Sequence, residues 1–185
     1  MTAVMNYLER LSRLMLNEGH AAGLKPAQWE ALRYLALANG FSRTAGGLGG
    51  YLGLTKGTVS QTLNALERKG LVARSADAQD RRRVQLAVTP AGRALIDHDP
   101  LSELSDVIDR LPGAERDRLA ASLETVLRAW LAQRGGRSFA ECRTCHHFRA
   151  RDPLGAPHYC ALLSQPLREA DSAQFCIEHE AAAAG

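Results

Sequence analysis

Residues 55–92, TKGTVSQTLNALERKGLVARSADAQDRRRVQLAVTPAG, pass from a helical to an alternating hydrophobic pattern, and that change decides the fold. Val59, Leu63 and Leu66 recur at helical spacing and form one apolar face. Thr55 suits the N-cap, Arg68 and Lys69 fall in the last turn where they complement the helix dipole, and Gly70 ends the helix. LVARSA (71–76) and VQLAVT (84–89) then read as two short strands. The segment between them, DAQDRRR (77–83), is long for a tight hairpin and should project. TPAGRAL (89–95) restarts a helix, with Thr89 as cap and Pro90 at the first helical position.

Upstream, Val4, Leu8, Leu11 and Met15 mark an amphipathic helix over residues 1–20. A second helix starts at Pro26 and buries Trp29, Leu32 and Leu35 with Ala36. NGFSR (39–43) reads as a turn. TAGGLGGYLG (44–53) follows with four glycines before Leu52. Each weakens a helix by roughly 1 kcal/mol against alanine, so a short helix there needs tertiary support. Downstream, residues 113–134 are the most periodic segment, with Leu119, Leu123, Val126, Leu127, Trp130 and Leu131 on one stripe. RGGRS (134–138) reads as a linker.

The order helix, helix, short helix, helix, hairpin is that of a winged helix-turn-helix: mainly α, with a small β-wing. In such a fold the helix after the turn enters the DNA major groove. The charge distribution agrees. Between Thr55 and Arg93, Lys56, Arg68, Lys69, Arg74, Arg81, Arg82, Arg83 and Arg93 outnumber Glu67, Asp77 and Asp80, whereas the whole chain of 185 residues carries only +3. A local basic surface of this kind suits a polyanion.

The same stretch resembles the recognition helix and wing of MarR-family transcriptional regulators: a TVS-type helix, LERKGLV, the wing pair Asp80 and Arg82, and the exit around Thr89–Gly92. LKPAQWEALRYL (24–35) resembles the family's second helix, and the likeness covers roughly residues 5–133. The glycine-rich segment departs from the family pattern. The resemblance implies a homodimer interlocked through the first helix and the long last helix, with two recognition helices about one DNA turn apart on a pseudo-palindromic site in double-stranded DNA. The stripe around Leu119, Leu123, Val126 and Trp130 agrees, since one small domain can hardly bury it alone.

Chemistry assigns the roles. Thr55, Lys56 and Thr58 lie at a helix N-terminus and suit phosphates. Ser60, Gln61 and Asn64 lie opposite the apolar stripe and offer hydrogen bonds to base edges. Arg82, flanked by Arg81 and Arg83, should enter a minor groove, where negative potential attracts arginine, with Asp80 as its ion-pair support. A solvated helix face and a charged loop would look alike residue by residue. The ordered set of motifs favours DNA binding, and hence a transcriptional regulator, with a repressor as the expected sign.

The chain has four cysteines, all near the C-terminus: Cys142, Cys145, Cys160 and Cys176. No apolar run approaches the roughly 20 residues that span a bilayer, and the N-terminal stretch lacks the pattern of a cleaved signal. The expected compartment is the cytoplasm, where clustered thiols more often hold metal than form disulfides. Residues 138–180 are also too few to build a large core, so a metal staple is the natural support for a second module beside the winged helix of residues 1–134. Structural zinc (Zn2+) usually takes two closely spaced pairs, and only Cys142 and Cys145 form one. A cluster can draw single cysteines from separated segments. The spacing resembles that of high-potential iron–sulfur proteins, with Phe148, CALLSQPL and FC at related positions. That resemblance implies a 4Fe-4S cluster on the four cysteines. Zinc remains the alternative and disulfides a third possibility. His146, His147, His158 or His179 could replace a cysteine ligand, and Phe148, Leu162, Leu163 and Phe175 are expected to wrap the metal. No nucleophilic triad, phosphate loop or carboxylate pair points to an enzyme. The function expected is therefore DNA-binding regulation that responds to the redox or iron state of the cluster, or else a static zinc site with a small-molecule effector.

Overall fold

The computed structural model describes residues 2–76, 84–151 and 155–181. Four helices open the chain: α1 (Ala3–Glu18), α2 (Pro26–Leu37), α3 (Ala45–Leu52) and α4 (Lys56–Arg68). The wing strands β1 (Val72–Ala76) and β2 (Val84–Val88) pair antiparallel, from Val72 opposite Val88 to Ala76 opposite Val84. Then come α5 (Pro90–Ile96), α6 (Ser102–Asp109) and α7 (Gly113–Gln133). The sequence periodicity does not assign α6.

The core gathers the apolar positions that period alone selects. Trp29, Leu32 and Leu35 of α2 pack with Leu48 of α3, with Val59, Leu63 and Leu66 of α4, and with Val72, Leu86 and Val88 of the wing. The expected caps form. The Thr55 hydroxyl accepts from Thr58 N–H at 3.3 Å, and Thr89 accepts from Gly92 N–H at 3.1 Å. Gly70 takes φ +70°, the left-handed conformation that stops α4. The Arg33 guanidinium meets the Asp99 carboxylate at 2.7 Å and ties α2 to the chain before α6.

The glycine-rich segment does form a helix, and one of its glycines has a steric cause. A Cβ on Gly47 would collide with the Ser42 carbonyl oxygen and the Tyr34 hydroxyl. Those two groups are themselves bonded, Tyr34 donating to Ser42 at 2.7 Å. Gly47 lets α3 press against that bond, so a residue poor in helix propensity is the one that fits. Thr44 caps the helix by accepting from Gly47 N–H at 3.0 Å.

Helices α1, α6 and α7 contribute no buried residue. Tyr7 is 69% exposed and Trp130 55%, so among the described residues the apolar stripes of α1 and α7 are left largely uncovered.

The C-terminal tail builds two further small sheets. In one, β3 (Ala140–Glu141) pairs with β7 (Phe175–Cys176); in the other, β4 (Phe148–Arg149), β5 (His158–Cys160) and β6 (Gln165–Leu167) lie in that order. β7 comes back against the end of α2. Ala38 bridges to Phe175, and Asn39 N–H donates to the Phe175 carbonyl at 2.8 Å. Phe139 and Phe175 stack towards Tyr51 of α3, with centroids at 5.1 and 6.3 Å. The tail thus packs on the helix-turn-helix itself. The apolar residues expected around a metal are divided: Phe175 belongs to this docking contact, Phe148 lies against His158, and Leu162 is exposed.

Gly47→Ala is expected to destabilise the protein by about 1–3 kcal/mol, the usual cost of forcing atoms into a filled space. Thermal unfolding reads it, and a variant as stable as its parent would contradict the steric reading.

Candidate functional site

Two groups of chemistry-bearing residues stand out, one on α4 and one in the tail. On α4, burial of Val59, Thr62, Leu63 and Leu66 fixes the rotation of the helix. Thr55, Lys56, Thr58, Ser60, Gln61 and Asn64 are consequently exposed. The two threonine hydroxyls lie 3.0 Å apart at the N-terminus, so the cap and the candidate anion contact share the same atoms. Asn64 is less free than its spacing suggests. Its Oδ1 accepts from Arg74 Nη2 at 2.8 Å, and Arg74 also meets Glu67 at 3.3 Å. Arg74 of β1 therefore joins this face and turns the Asn64 amide. The sequence counts its charge but does not place it, because a strand residue reaches a helix only once the hairpin has folded back. Asp80, Arg81, Arg82 and Arg83 lie outside the described residues.

In the tail, the four cysteines are all free thiols and are not equivalent. β3–β7 pairing brings Cys142 and Cys176 into hydrogen-bonding contact, and both are buried. Cys145 follows Cys142 in a tight turn, its N–H donating to the Cys142 carbonyl at 3.0 Å, and it bridges to Ala181. Cys160 stands on β5 opposite Phe148, near enough to act electrostatically on Cys142. Among the described residues no three His, Cys, Asp or Glu side chains gather closely enough to hold a metal ion. The structure thus brings together two of the four expected ligands.

The contact splits the two thiols. Cys142 donates its proton to the Cys176 sulfur, which together with burial pushes the Cys142 thiol well above its ordinary range. Cys176 is lowered, first by that bond, then by Asn39, by the Glu178 N–H and by Ser42, which together overcome its burial. Cys176 is accordingly the sulfur favoured as thiolate.

Asn39 and Ser42 are the residues that sequence reasoning missed. NGFSR reads as a turn, and nothing local shows that two of its polar side chains are fully buried. Asn39 Nδ2 donates to Cys142 Sγ at 3.2 Å, and Ser42 Oγ accepts from Ile177 N–H at 2.8 Å.

Among the histidines, His147 and His158 face Glu180 and Glu169 at 2.9 and 3.1 Å. His179 is different. It is 5% exposed and its Nε2 lies 2.9 Å from the Thr144 hydroxyl rather than a carboxylate, while its buried Nδ1, like that of His158, has no hydrogen-bond partner. Burial holds its pKa below the ordinary imidazole value. A neutral ring fixed at one nitrogen, with the other unengaged, has the chemistry of a metal ligand.

Replacing Cys142 by alanine removes the main donor to Cys176. The Cys176 titration in the metal-free protein is expected to move up in pH, followed by ultraviolet thiolate absorbance. An unchanged midpoint would show that the Cys142 contact does not set it.

Comparison with known proteins bears on the α4 face. Residues 22–83 match the model of the MarR family. A candidate transcriptional regulatory protein for the hcr operon of Thauera aromatica is 31% identical over 109 residues, 57% of this chain and 64% of that protein. The chain thus spans less than two thirds of the length of the curated relative it matches. Among solved structures, S. aureus MepR in its DNA-binding conformation is 25% identical with a TM-score of 0.61, over 70% of this chain and 99% of MepR. The complex of MepR with DNA (24% identity, TM-score 0.55, 69% of this chain and 93% of that one) shares the fold. So does CouR of Rhodococcus jostii RHA1 bound to p-coumaroyl-CoA (21%, 0.57, 67% and 91%). Family model, curated relative and solved structures are thus all similar to this chain over its winged-helix part, and the solved structures share its fold.

Proposed function

We propose that this chain is a MarR-type transcriptional regulator that reads double-stranded DNA as a homodimer, and that its C-terminal cysteines hold a metal centre that tunes DNA affinity. The observation that carries the DNA-binding part is the polar, exposed face of α4, presented with a capped N-terminus by a core that buries the opposite face. A helix N-terminus with Thr55, Lys56 and Thr58 suits a phosphate, because its free N–H groups and dipole favour negative charge. Ser60 and Gln61 then stand where base edges lie, and Gln61 has the donor and acceptor that pair with adenine. Arg82 on the wing, with Arg81 and Arg83, supplies the minor-groove contact and Asp80 its support.

The homodimer reading rests on the apolar stripes of α1 and α7, exposed in the single chain. Helix α7 has 21 residues, so at ~1.5 Å per residue it runs about 31 Å, enough to carry two copies of α4 at matching distances on one DNA face. A pseudo-palindromic site follows from the twofold symmetry of such a dimer, and repression follows if that site overlaps a promoter.

For the metal centre, the donor set fits in part. Cys142 and Cys176 are adjacent and surrounded by hydrogen-bond donors, which stabilise thiolate ligands, whereas Cys145 and Cys160 would have to move towards them to complete the four sulfurs that a 4Fe-4S cluster takes. When bound, such a cluster supplies a one-electron redox change or is lost to oxidants. The second reading is a static zinc site combined with a small-molecule effector. The unengaged Nδ1 of His179, three residues after Cys176, favours it, because zinc readily takes mixed sulfur and nitrogen ligands.

Lys56→Ala and Arg82→Ala are each expected to weaken operator binding while leaving the fold intact, and to lower the salt slope of log affinity by about one per phosphate contact removed. Fluorescence anisotropy across a salt series reads both. Unchanged affinity in the two variants would remove the α4 and wing roles together. Anaerobic purification with metal analysis separates the centres. A brown protein holding iron and sulfide that bleaches in air is the expected result, and a colourless protein with one zinc per chain overturns the cluster reading.

A further inference from the structure

Cys142 and Cys176 meet across the length of the cysteine-rich tail. β3 pairs with β7, Ala140 opposite Cys176 and Glu141 opposite Phe175, and Cys142 N–H extends the pairing to the Gln174 carbonyl at 3.1 Å. Both sulfurs converge on the buried Asn39 amide. Its Nδ2 donates to Cys142 Sγ at 3.2 Å and is a donor to Cys176 as well. The two thiols are buried and hydrogen-bonded to each other. The strand that carries Cys176 is gripped on both sides of that residue by the turn between α2 and α3. Asn39 N–H donates to the Phe175 carbonyl at 2.8 Å, and Ile177 N–H donates to Ser42 Oγ at 2.8 Å. The other two cysteines are held elsewhere. Cys145, nearest to Cys142 in sequence, closes a turn through its N–H and bridges to Ala181. Cys160 stands on β5 between Phe148 and Gln165, and acts on Cys142 only electrostatically. Spacing alone would pair Cys142 with Cys145, the usual redox couple of a Cys-x-x-Cys motif. The fold pairs it with Cys176.

We propose that Cys142 and Cys176 are an oxidation site, at which hydrogen peroxide joins the two sulfurs in an intramolecular disulfide that clamps the tail on the turn at 38–43, while Cys145 and Cys160 stay thiols. No metal is needed for it. A disulfide takes two sulfurs, whereas a metal ion takes more ligands than the described residues gather here. One sulfur of the pair, as thiolate, attacks a peroxide oxygen; the O–O bond breaks, hydroxide leaves and a sulfenic acid forms. The second sulfur attacks the first, the S–O bond breaks, and the hydroxyl departs as water with the second thiol's proton. The proton shed by the first thiol neutralises the hydroxide. The pair thus loses two electrons and two protons, and the peroxide is reduced to two molecules of water. The neighbouring sulfur decides the product, because it is in contact before the sulfenic acid forms and captures it before further oxidation. The disulfide then closes the loop 143–175 and removes chain freedom from any opened form of the tail. Opening of the turn requires Phe175 and Ile177 to let go of Asn39 and Ser42. A β7 fixed to the end of β3 lets go less often, so the turn opens less often too.

The sequence makes the test direct, since Arg137, Arg143, Arg149, Arg151 and Arg168 let trypsin place the four cysteines on four separate peptides. The full chain, reduced and kept with a metal chelator, is treated with hydrogen peroxide, alkylated and digested. The intact monomer is expected to lose the mass of two hydrogens. Peptide 138–143 should appear joined to 169–185, with 144–149 and 152–168 recovered as alkylated thiols, and dithiothreitol should reverse the change. Hydrogen exchange over 38–43 is expected to slow several-fold in the oxidised protein. A chain in which Cys145→Ser and Cys160→Ser are combined should form the same disulfide at the parent's rate. A link from 138–143 to 144–149 or to 152–168, a disulfide between two chains, or oxygen added to sulfur without a link overturns the site. The expected disulfide with exchange over 38–43 unchanged overturns the clamp. The unmodified chain decides both outcomes, so neither depends on a variant that folds.

Discussion

Tyr34, Asn39 and Ser42 meet in a turn from which water is excluded, and the polar atoms they bring there are satisfied within the protein. The Tyr34 hydroxyl takes the Ser42 carbonyl, Asn39 takes the Ser42 N–H, and the tail takes what is left: the Asn39 N–H, its side-chain nitrogen and the Ser42 hydroxyl oxygen. A buried polar group without a partner costs roughly 1–3 kcal/mol, so this turn and the tail are complete only together. Gly47 then follows from the same constraint, because no side chain fits between α3 and the Tyr34–Ser42 bond.

From that turn the exposed face of α4 is set in two steps. The turn orients α3, whose Leu48 enters the core beside Val59, and the core fixes α4 about its own axis. Lys56, Ser60 and Gln61 are thereby left outward on a rigid support. Arg74 adds a constraint of its own, since an Asn64 amide already bonded to arginine presents a different edge from a free one. The face proposed for DNA is thus a joint product of helix and wing.

Helices α1, α6 and α7 stand apart from this logic. None of them contributes a fully buried residue, yet α1 and α7 are periodic, and α7 is the longest helix described. Periodicity without cover on α1 and α7 is what the proposed interface between copies requires, and it lies apart from the α4 face proposed for DNA. The tail packs against α2 and α3.

The sequence by itself determined the local elements. Apolar spacing placed α2 and α4, Thr55 and Thr89 announced helix starts, Gly70 announced a stop, and the alternation of residues 84–88 announced a strand. These are readable because each depends on neighbours within a turn or two. Helix α6 was not, since eight residues with Leu104 half-buried give too short a stripe to recognise. The cysteine spacing showed that a sulfur site was to be expected, but not which sulfurs would meet. Tertiary structure decided that Cys142 joins Cys176, that Asn39 reaches a sulfur 103 residues away, and that Ser42 holds an amide 135 residues away. It also turned the glycines of α3 from a weakness into a fit. The reason is physical: propensity and period act along the chain, whereas burial of a polar turn is satisfied by whatever the fold brings to it.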